Sequence, residues 1–394
     1  MSFGLTDNLL FAAFIAAVMV FVFARKFLPI RIAFWTAFIK AGFPLVYFAF
    51  FYDGKWTFSD DQYYLYVGQE LISKQFHPFT IFFSKIGMGT LFSLSHGTHI
   101  MYGWWNFLAE SLFGSFYYAP VFLNVGLTAI GGYYMYSIGM IAGFKRNYCQ
   151  YLAVFFMLHW DVLAWSSICN LKDTMVLTVT IAIVYYMLCI GLMIRHGRQL
   201  LFSAIGLILT LSIMIWLRSY VALVLTGVFV LWITSNVSGK TRYIMLGGGI
   251  LLAGLVGMKM PGLSSQLSSV LNPMKCIGGL VRFALTPRPW GLDQKYGFLI
   301  LPACLHWLHL IPAIVGGWYL WKRSSATRFL ILYILVASLL YGGVDVLQGP
   351  RHRVQLTFVL AWMQFHFLYL CAVSARHRAS NAQNLLVETT TQPI

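Results

Sequence analysis

The chain is 394 residues long, 59% hydrophobic and only 10% charged, with a formal net charge of +16 at pH 7. A soluble domain carries roughly 25% charged residues, so no soluble fold of this length hides so much apolar surface. The positive charge does not mark a nucleic-acid binder, because the basic residues are scattered between apolar blocks and do not cluster on one face.

Those blocks run to about 20 residues, the length a helix needs to cross roughly 30 Å of hydrocarbon. In chain order they predict roughly eleven spans, at 8–24, 32–51, 116–142, 148–167, 174–194, 200–217, 219–236, 243–258, 298–321, 328–344 and 354–374. The first has no basic flank ahead of it and no small-residue cleavage site behind it, so it is expected to stay as a span. The expected fold class is all-α: a single polytopic transmembrane bundle over residues 1–378, then a disordered polar tail over 379–394. Basic short turns mark the cytoplasmic side. Alternate connections carry them, at Arg25/Lys26/Arg31, Lys145/Arg146, Arg195/Arg198, Lys240/Arg242, Lys322/Arg323/Arg328 and Arg376/Arg378, which places the N-terminus outside and the C-terminus inside. The acidic residues, which that rule does not count, fall on the other side: Asp7, Asp53, Asp60, Asp61, Glu70, Glu110, Asp161, Asp173, Asp293 and Asp345. Only Glu388 is inside, and such one-sidedness predicts a working face.

Two outer connections, 52–115 and 259–297, are long enough to hold structure of their own. In the first, Ser59-Asp-Asp-Gln62 reads as a capping box opening a short interfacial helix, with Tyr64, Val67, Gly68, Leu71 and Ile72 at helical spacing. The second is rich in Pro, Gly and Ser and carries Lys275, Arg282, Arg288 and Lys295. The six cysteines have no CxxC pair or metal-ligand spacing and read as small buried apolar residues.

Asp60 and Asp61 are the leading candidates for chemistry. Neighbouring carboxylates bind a divalent cation such as Mg or Mn, or one acts as general base while the other tunes it. The plain alternative is a pair of acids complementing a helix macrodipole. Asn170-Leu-Lys172-Asp173 reads either as an N-cap or as a lysine positioning an anion. Arg218 is a lone guanidinium where two apolar helices meet on the outer side, and a phosphate partner explains it. Arg351-His352-Arg353 puts two forked guanidiniums around an imidazole, a set suited to phosphate or carboxylate, with interfacial snorkelling as the alternative. Joined by Arg282 and Arg288, these residues would make a basic cluster facing the carboxylates. His96/His99 and His306/His309 have i,i+3 spacing without a third ligand and read as core histidines. Lys40, mid-span, is a functional candidate or a partner for Asp161. Trp104, Trp105, Tyr117 and Tyr118 read as interfacial belts.

The run Asp60-Asp61-Gln62-Tyr63-Tyr64 resembles the GT-C superfamily of integral membrane glycosyltransferases, whose first large outer loop carries an acidic pair followed by a tyrosine-bearing interfacial helix. Lys172-Asp173, Arg218-Ser219-Tyr220, Pro287-Arg288-Pro289-Trp290 and Arg351-His352-Arg353 are similar to patterns in GT-C-like proteins of bacterial surface-polysaccharide pathways. The resemblance implies a sugar or oligosaccharide on polyprenyl phosphate as donor and a glycan or lipid-linked acceptor, joined at the outer face of the cytoplasmic membrane. It gives the role of base or metal ligand to Asp60 or Asp61, and the lipid phosphate to the arginines. A repeat-unit polymerase would use the same parts with a larger acceptor. A flippase of lipid-linked sugar is the reading from another class, although it favours midplane charges and paired repeats. A scaffold for a synthase complex is a third.

Overall fold

The computed structural model describes residues 3–54, 58–97, 99–192, 197–236, 273–344 and 349–390, with three isolated positions between 243 and 248, and side chains as far as residue 375. Among the described residues every regular element is helical. Apart from those three positions, the expected span at 243–258 and the first part of the 259–297 connection lie outside them.

The chain opens with α1 (Asp7–Ala24), capped by the Thr6 hydroxyl, and α2 (Ile30–Val46), which runs on through one π turn at Tyr47–Phe51. The first long connection then holds three helices, α3 (Ser59–Ser73), α4 (Lys85–Leu94) and α5 (Ile100–Phe113), where the sequence predicts one. Next come α6 (Tyr118–Ile141), α7 (Arg146–Leu158), α8 (Trp160–Ser167) and α9 (Asp173–Gly191). The expected 148–167 span is thus two short helices parted at His159, whose ring accepts from the Asp161 N–H and caps α8.

Helix α10 covers Arg198–Asn236, 39 residues broken only at Arg218, where the backbone is extended. An unbroken helix of that size would measure about 58 Å, nearly twice the roughly 30 Å of hydrocarbon, so the break divides it into two bilayer-length halves. It falls where the sequence predicts a turn between two spans. The C-terminal part comprises α11 (Pro273–Ala284), α12 (Ile300–Leu308), α13 (Leu310–Arg323), α14 (Ser325–Gly343), the single turn α15 (Pro350–Arg353) and α16 (Thr357–Thr390). The backbone of α16 stays helical to Thr390, through the stretch expected to be a disordered tail.

Among the described residues six helices are long and apolar enough to cross a membrane, and up to eight if each of two bent pairs, α5 with α6 and α12 with α13, counts as one span. Large apolar side chains such as Phe11, Phe14, Trp35, Phe38, Leu201 and Ile208 stand exposed on the outer helices. Lipid satisfies such a surface and water does not. Helix α6 is buried along most of its length and forms the hub, packed on α1, α7 and α9. α9 in turn packs on α10, α11 on α14, and α13 on α16.

The α11–α14 contact depends on two facing glycines. A Cβ added to Gly279 would run into the Gly342 carbonyl, and one added to Gly342 would strike the backbone at Gly279. Small residues of this kind let helix backbones touch in lipid, where apolar burial alone gives no drive to associate. Gly342→Leu should therefore lower stability by about 1–3 kcal/mol or more, as overpacking does. A thermal melt in detergent reads it, and an unchanged melting temperature would show that the two helices do not sit this close.

Candidate functional site

Several elements end at the same place. Asp60 stands in the first turn of α3, Asp173 is the first residue of α9, Arg218 is the break in α10, and Arg351 lies in α15. Where described, basic residues of the predicted turns stand at the other ends of such helices: Arg31 at the start of α2, Arg198 at the start of α10, and Lys322, Arg323 and Arg328 around the start of α14.

The charged groups meet in one network. Arg218 Nη2 donates to Asp173 Oδ1 at 2.5 Å, and Arg351 Nε donates to Asp173 Oδ2 at 3.3 Å. Arg351 also reaches Asp60 Oδ2 through Nη1 at 2.9 Å, and its main-chain carbonyl accepts from Arg218 Nη1 at 3.3 Å. The guanidinium of Arg351 lies 5.2 Å from the centre of the Phe58 ring. Asp173 is thus a buried carboxylate holding two guanidiniums, whereas the Asp60 side chain is 44% exposed.

Asp60, Arg218 and Arg351 line a cleft of about 690 Å³ with His99, Lys172, Tyr220 and His352, and with Phe92, Ile215, Trp216 and Leu217 as its apolar wall, while Asp173 lies buried behind it. The Lys172 ammonium abuts the His99 ring, 2.6 Å from Nε2, while His99 Nδ1 faces the Leu217 carbonyl at 3.2 Å. The ammonium is also 2.9 Å from Nδ1, so it abuts both ring nitrogens. Burial and the neighbouring ammonium hold His99 down to about 4, so it is neutral. Burial, helped by Arg218, lowers Lys172 to about 7. His352 is fixed by Tyr220, whose hydroxyl lies 2.6 Å from Nδ1.

Asp61 has a different fate from its neighbour. Successive residues of a helix point about 100° apart, so when Asp60 faces the cleft Asp61 faces inward. It is fully buried, and its Oδ2 accepts from the Tyr117 hydroxyl at 2.7 Å and from the Phe58 N–H at 3.2 Å. The second bond is half of a capping box, set one residue earlier than the sequence predicts. Oδ1 has no hydrogen-bond partner among the described residues. Burial pushes the carboxyl up to about 7.

Asn170 does not cap α9. Its amide donates to Asn106 Oδ1 at 2.7 Å and to the Asp61 carbonyl at 3.2 Å, and its own Oδ1 accepts from Tyr102. This buried polar knot, extended through Asn124, fixes α3 against α5, α6 and the start of α9. Tyr117 and Tyr118, expected at the interface, are buried with it.

Other expected partners part company. Arg353 does not share the cleft, since two residues along a helical turn it points about 200° away from Arg351. It donates to Asp161 at 3.0 Å and to the Thr286 carbonyl, and is buried. Lys40 bonds Ser166 at 2.9 Å, leaving Asp161 to Arg353. Arg282 and Arg288 are exposed and do not line the cleft. The loop bearing Arg288 is instead tied down by Trp307, whose indole donates to Leu285 and Pro287 carbonyls.

Nor does the Asp60–Asp61 pair suit a divalent cation. One carboxylate answers a guanidinium and the other a hydroxyl and a main-chain N–H, so they do not converge on a point. Magnesium and calcium sites need several oxygens around one centre. Among the described residues no three His, Cys, Asp or Glu side chains gather into a metal-binding group. The cleft offers instead an anion pocket: Lys172, Arg218 and Arg351 with Asp60, the two arginines backed by the buried Asp173, and neutral imidazoles at its edge. His99 is the cleft residue the sequence did not flag for chemistry. No family model, curated protein or solved structure matches the chain.

Proposed function

We propose that the chain transfers a sugar from a polyprenyl-phosphate-linked donor to an acceptor hydroxyl, in the manner of the GT-C glycosyltransferases it resembles. The reading includes roughly eleven spans with the N-terminus outside, and places the cleft at the outer face of a bacterial cytoplasmic membrane. One observation carries it: a half-exposed carboxylate and three cationic side chains share a cleft whose remaining wall is apolar. A phosphate on a lipid tail needs the cations and the apolar wall together, and the carboxylate serves the hydroxyl.

In this mechanism the donor phosphate takes over Arg351 and releases Asp60. Asp60 accepts the acceptor's hydroxyl proton, the oxygen bonds to the anomeric carbon, and the carbon–oxygen bond to phosphate breaks with its electron pair staying on phosphate. The leaving lipid phosphate gains one negative charge, which Arg351, Arg218 and Lys172 neutralise as it develops. Asp173 stays ionised between the two arginines and holds their forks in place. Asp61 orients the first turn of α3 and touches no substrate.

The test is the purified chain in lipid with a panel of polyprenyl-phosphate sugars, scored for released polyprenyl phosphate and a glycosylated acceptor. Movement of intact lipid-linked sugar across the bilayer without cleavage would replace this reading with a flippase.

A pH profile adds a sharper check. Lys172 faces Arg218, Asp173, Arg351, Asp60, His99 and the Tyr64 ring, and titrates near 7 before substrate arrives. A donor phosphodiester keeps its charge throughout, so donor binding should weaken as Lys172 loses its proton. Above pH 7 the donor KM should rise by up to about tenfold per pH unit, the most that one linked proton allows. Lys172→Arg, which stays charged, should flatten the rise. A profile identical in the two proteins would remove Lys172 from phosphate binding.

A further inference from the structure

A second cavity, of about 400 Å³, lies on the other flank of α3. Gln62, Tyr66 and Gln69 line it from one helix face, being four and three residues apart, with Leu65 beside them. Phe3, Tyr52, Gly54, Ser115, Phe116 and Tyr117 form the facing wall. Asp60 points into the charged cleft from the opposite side of the same helix, since two residues separate about 200° from Gln62. The two cavities therefore differ in kind: among the described residues, no Asp, Glu, Lys, Arg or His lines the second one. It presents carboxamides, hydroxyls and an exposed tyrosine ring, with Gln62 and Gln69 about a turn to either side of Tyr66.

That chemistry selects a ligand. A phosphate or a metal ion finds no countercharge among the described residues here, and a purely apolar tail would strand the amides. A neutral saccharide fits both features. Its hydroxyls take paired bonds from carboxamides, which donate and accept side by side, and its C–H face rests on an aromatic ring. The far wall is rigid, because Tyr52 stacks on Phe3 and on Tyr117 at ring-centre distances of 5.3 and 5.4 Å. Tyr117 also donates to Asp61, so one side chain links this cavity to the acidic turn.

We infer that this cavity is a binding subsite for a neutral oligosaccharide, gripped by Gln62, Tyr66 and Gln69. It lies a helix's width from Asp60, roughly 10 Å, so it holds a unit remote from the reacting sugar, and the ligand is a chain of several units. That this oligosaccharide is the acceptor rests on the transferase reading; its binding does not.

The test uses the full chain purified in a detergent without a sugar headgroup, titrated with neutral gluco-oligosaccharides of increasing length and followed by calorimetry and saturation-transfer NMR. Affinity should rise with length. Tyr66→Ala should weaken the longer ligands about tenfold, Tyr66→Phe should not, and Gln62→Ala with Gln69→Ala should weaken them further. Asp60→Asn should bind as the parent does. If Tyr66→Ala and the double glutamine variant bind as the parent, or no oligosaccharide binds, Tyr66 is an interfacial anchor only and the inference falls. If Tyr66 governs binding while Asp60→Asn keeps full transfer, the subsite stands and the transferase mechanism falls.

Discussion

Asp60→Asn should reach the membrane at normal levels and lose transfer by about 10²–10⁴-fold, the range for removing a general base, or roughly 3–5 kcal/mol of transition-state stabilisation. The substitution keeps shape and an oxygen for Arg351 Nη1, and Arg351 retains Asp173, so the fold has no reason to fail. What it removes is the proton acceptor. Asp61→Asn is the control with the opposite expectation: its oxygen can still accept from Tyr117 and the Phe58 N–H, so kcat should fall by less than about tenfold and any larger effect should appear in stability. The readout is release of polyprenyl phosphate by each purified variant. Equal losses in both would mean that the acids act as a unit, and full turnover in Asp60→Asn would discard the carboxylate mechanism.

The difference between these neighbours was not legible in the sequence. Two adjacent acids look alike until packing decides which helix face is buried, and here that decision is made by Tyr117 and Asn170, far away in the chain. The polar knot of Tyr102, Asn106, Asn124 and Asn170 was hidden for a related reason, since isolated amides inside apolar runs carry no periodic signal. Other features were readable. The all-helical class follows from apolar block length, and the Arg218 break from a lone charge between two such blocks. The convergence of Asp60, Lys172, Arg218, Arg351 and His352 on the cleft, with Asp173 behind the arginines, follows from charges gathering at one set of helix ends. Arg353 parts from Arg351 because nearness in sequence is not nearness in space on a helical turn. The cleft position of His99 carries no local signal, because its partner, Lys172, comes from another helix end.

Asp173 should be the residue whose loss most damages the fold. Its carboxylate is the only acid that touches Arg218 among the described residues, and it shares Arg351 with Asp60. Arg218 sits where an extended residue leaves no helical hydrogen bond to fall back on, and its side chain is 5% exposed. Asp173→Ala therefore leaves a buried guanidinium without its counterion, a change that costs about 3–5 kcal/mol. A detergent-solubilised thermal melt should fall by several degrees or more, roughly 2–4 °C for each kcal/mol in a large domain. Removing both charges separates stability from function. Asp173→Leu with Arg218→Met takes away the uncompensated ion together with its partner, and such replacements are often neutral or stabilising. The double variant should recover most of the melting temperature while its donor KM stays high, because one phosphate-holding guanidinium is gone and Arg351 has lost the carboxylate that fixes its fork. A single variant that melts like the parent would show that Arg218 finds its compensation elsewhere. Recovery of both stability and donor affinity in the double variant would take the buried ion pair out of phosphate recognition altogether.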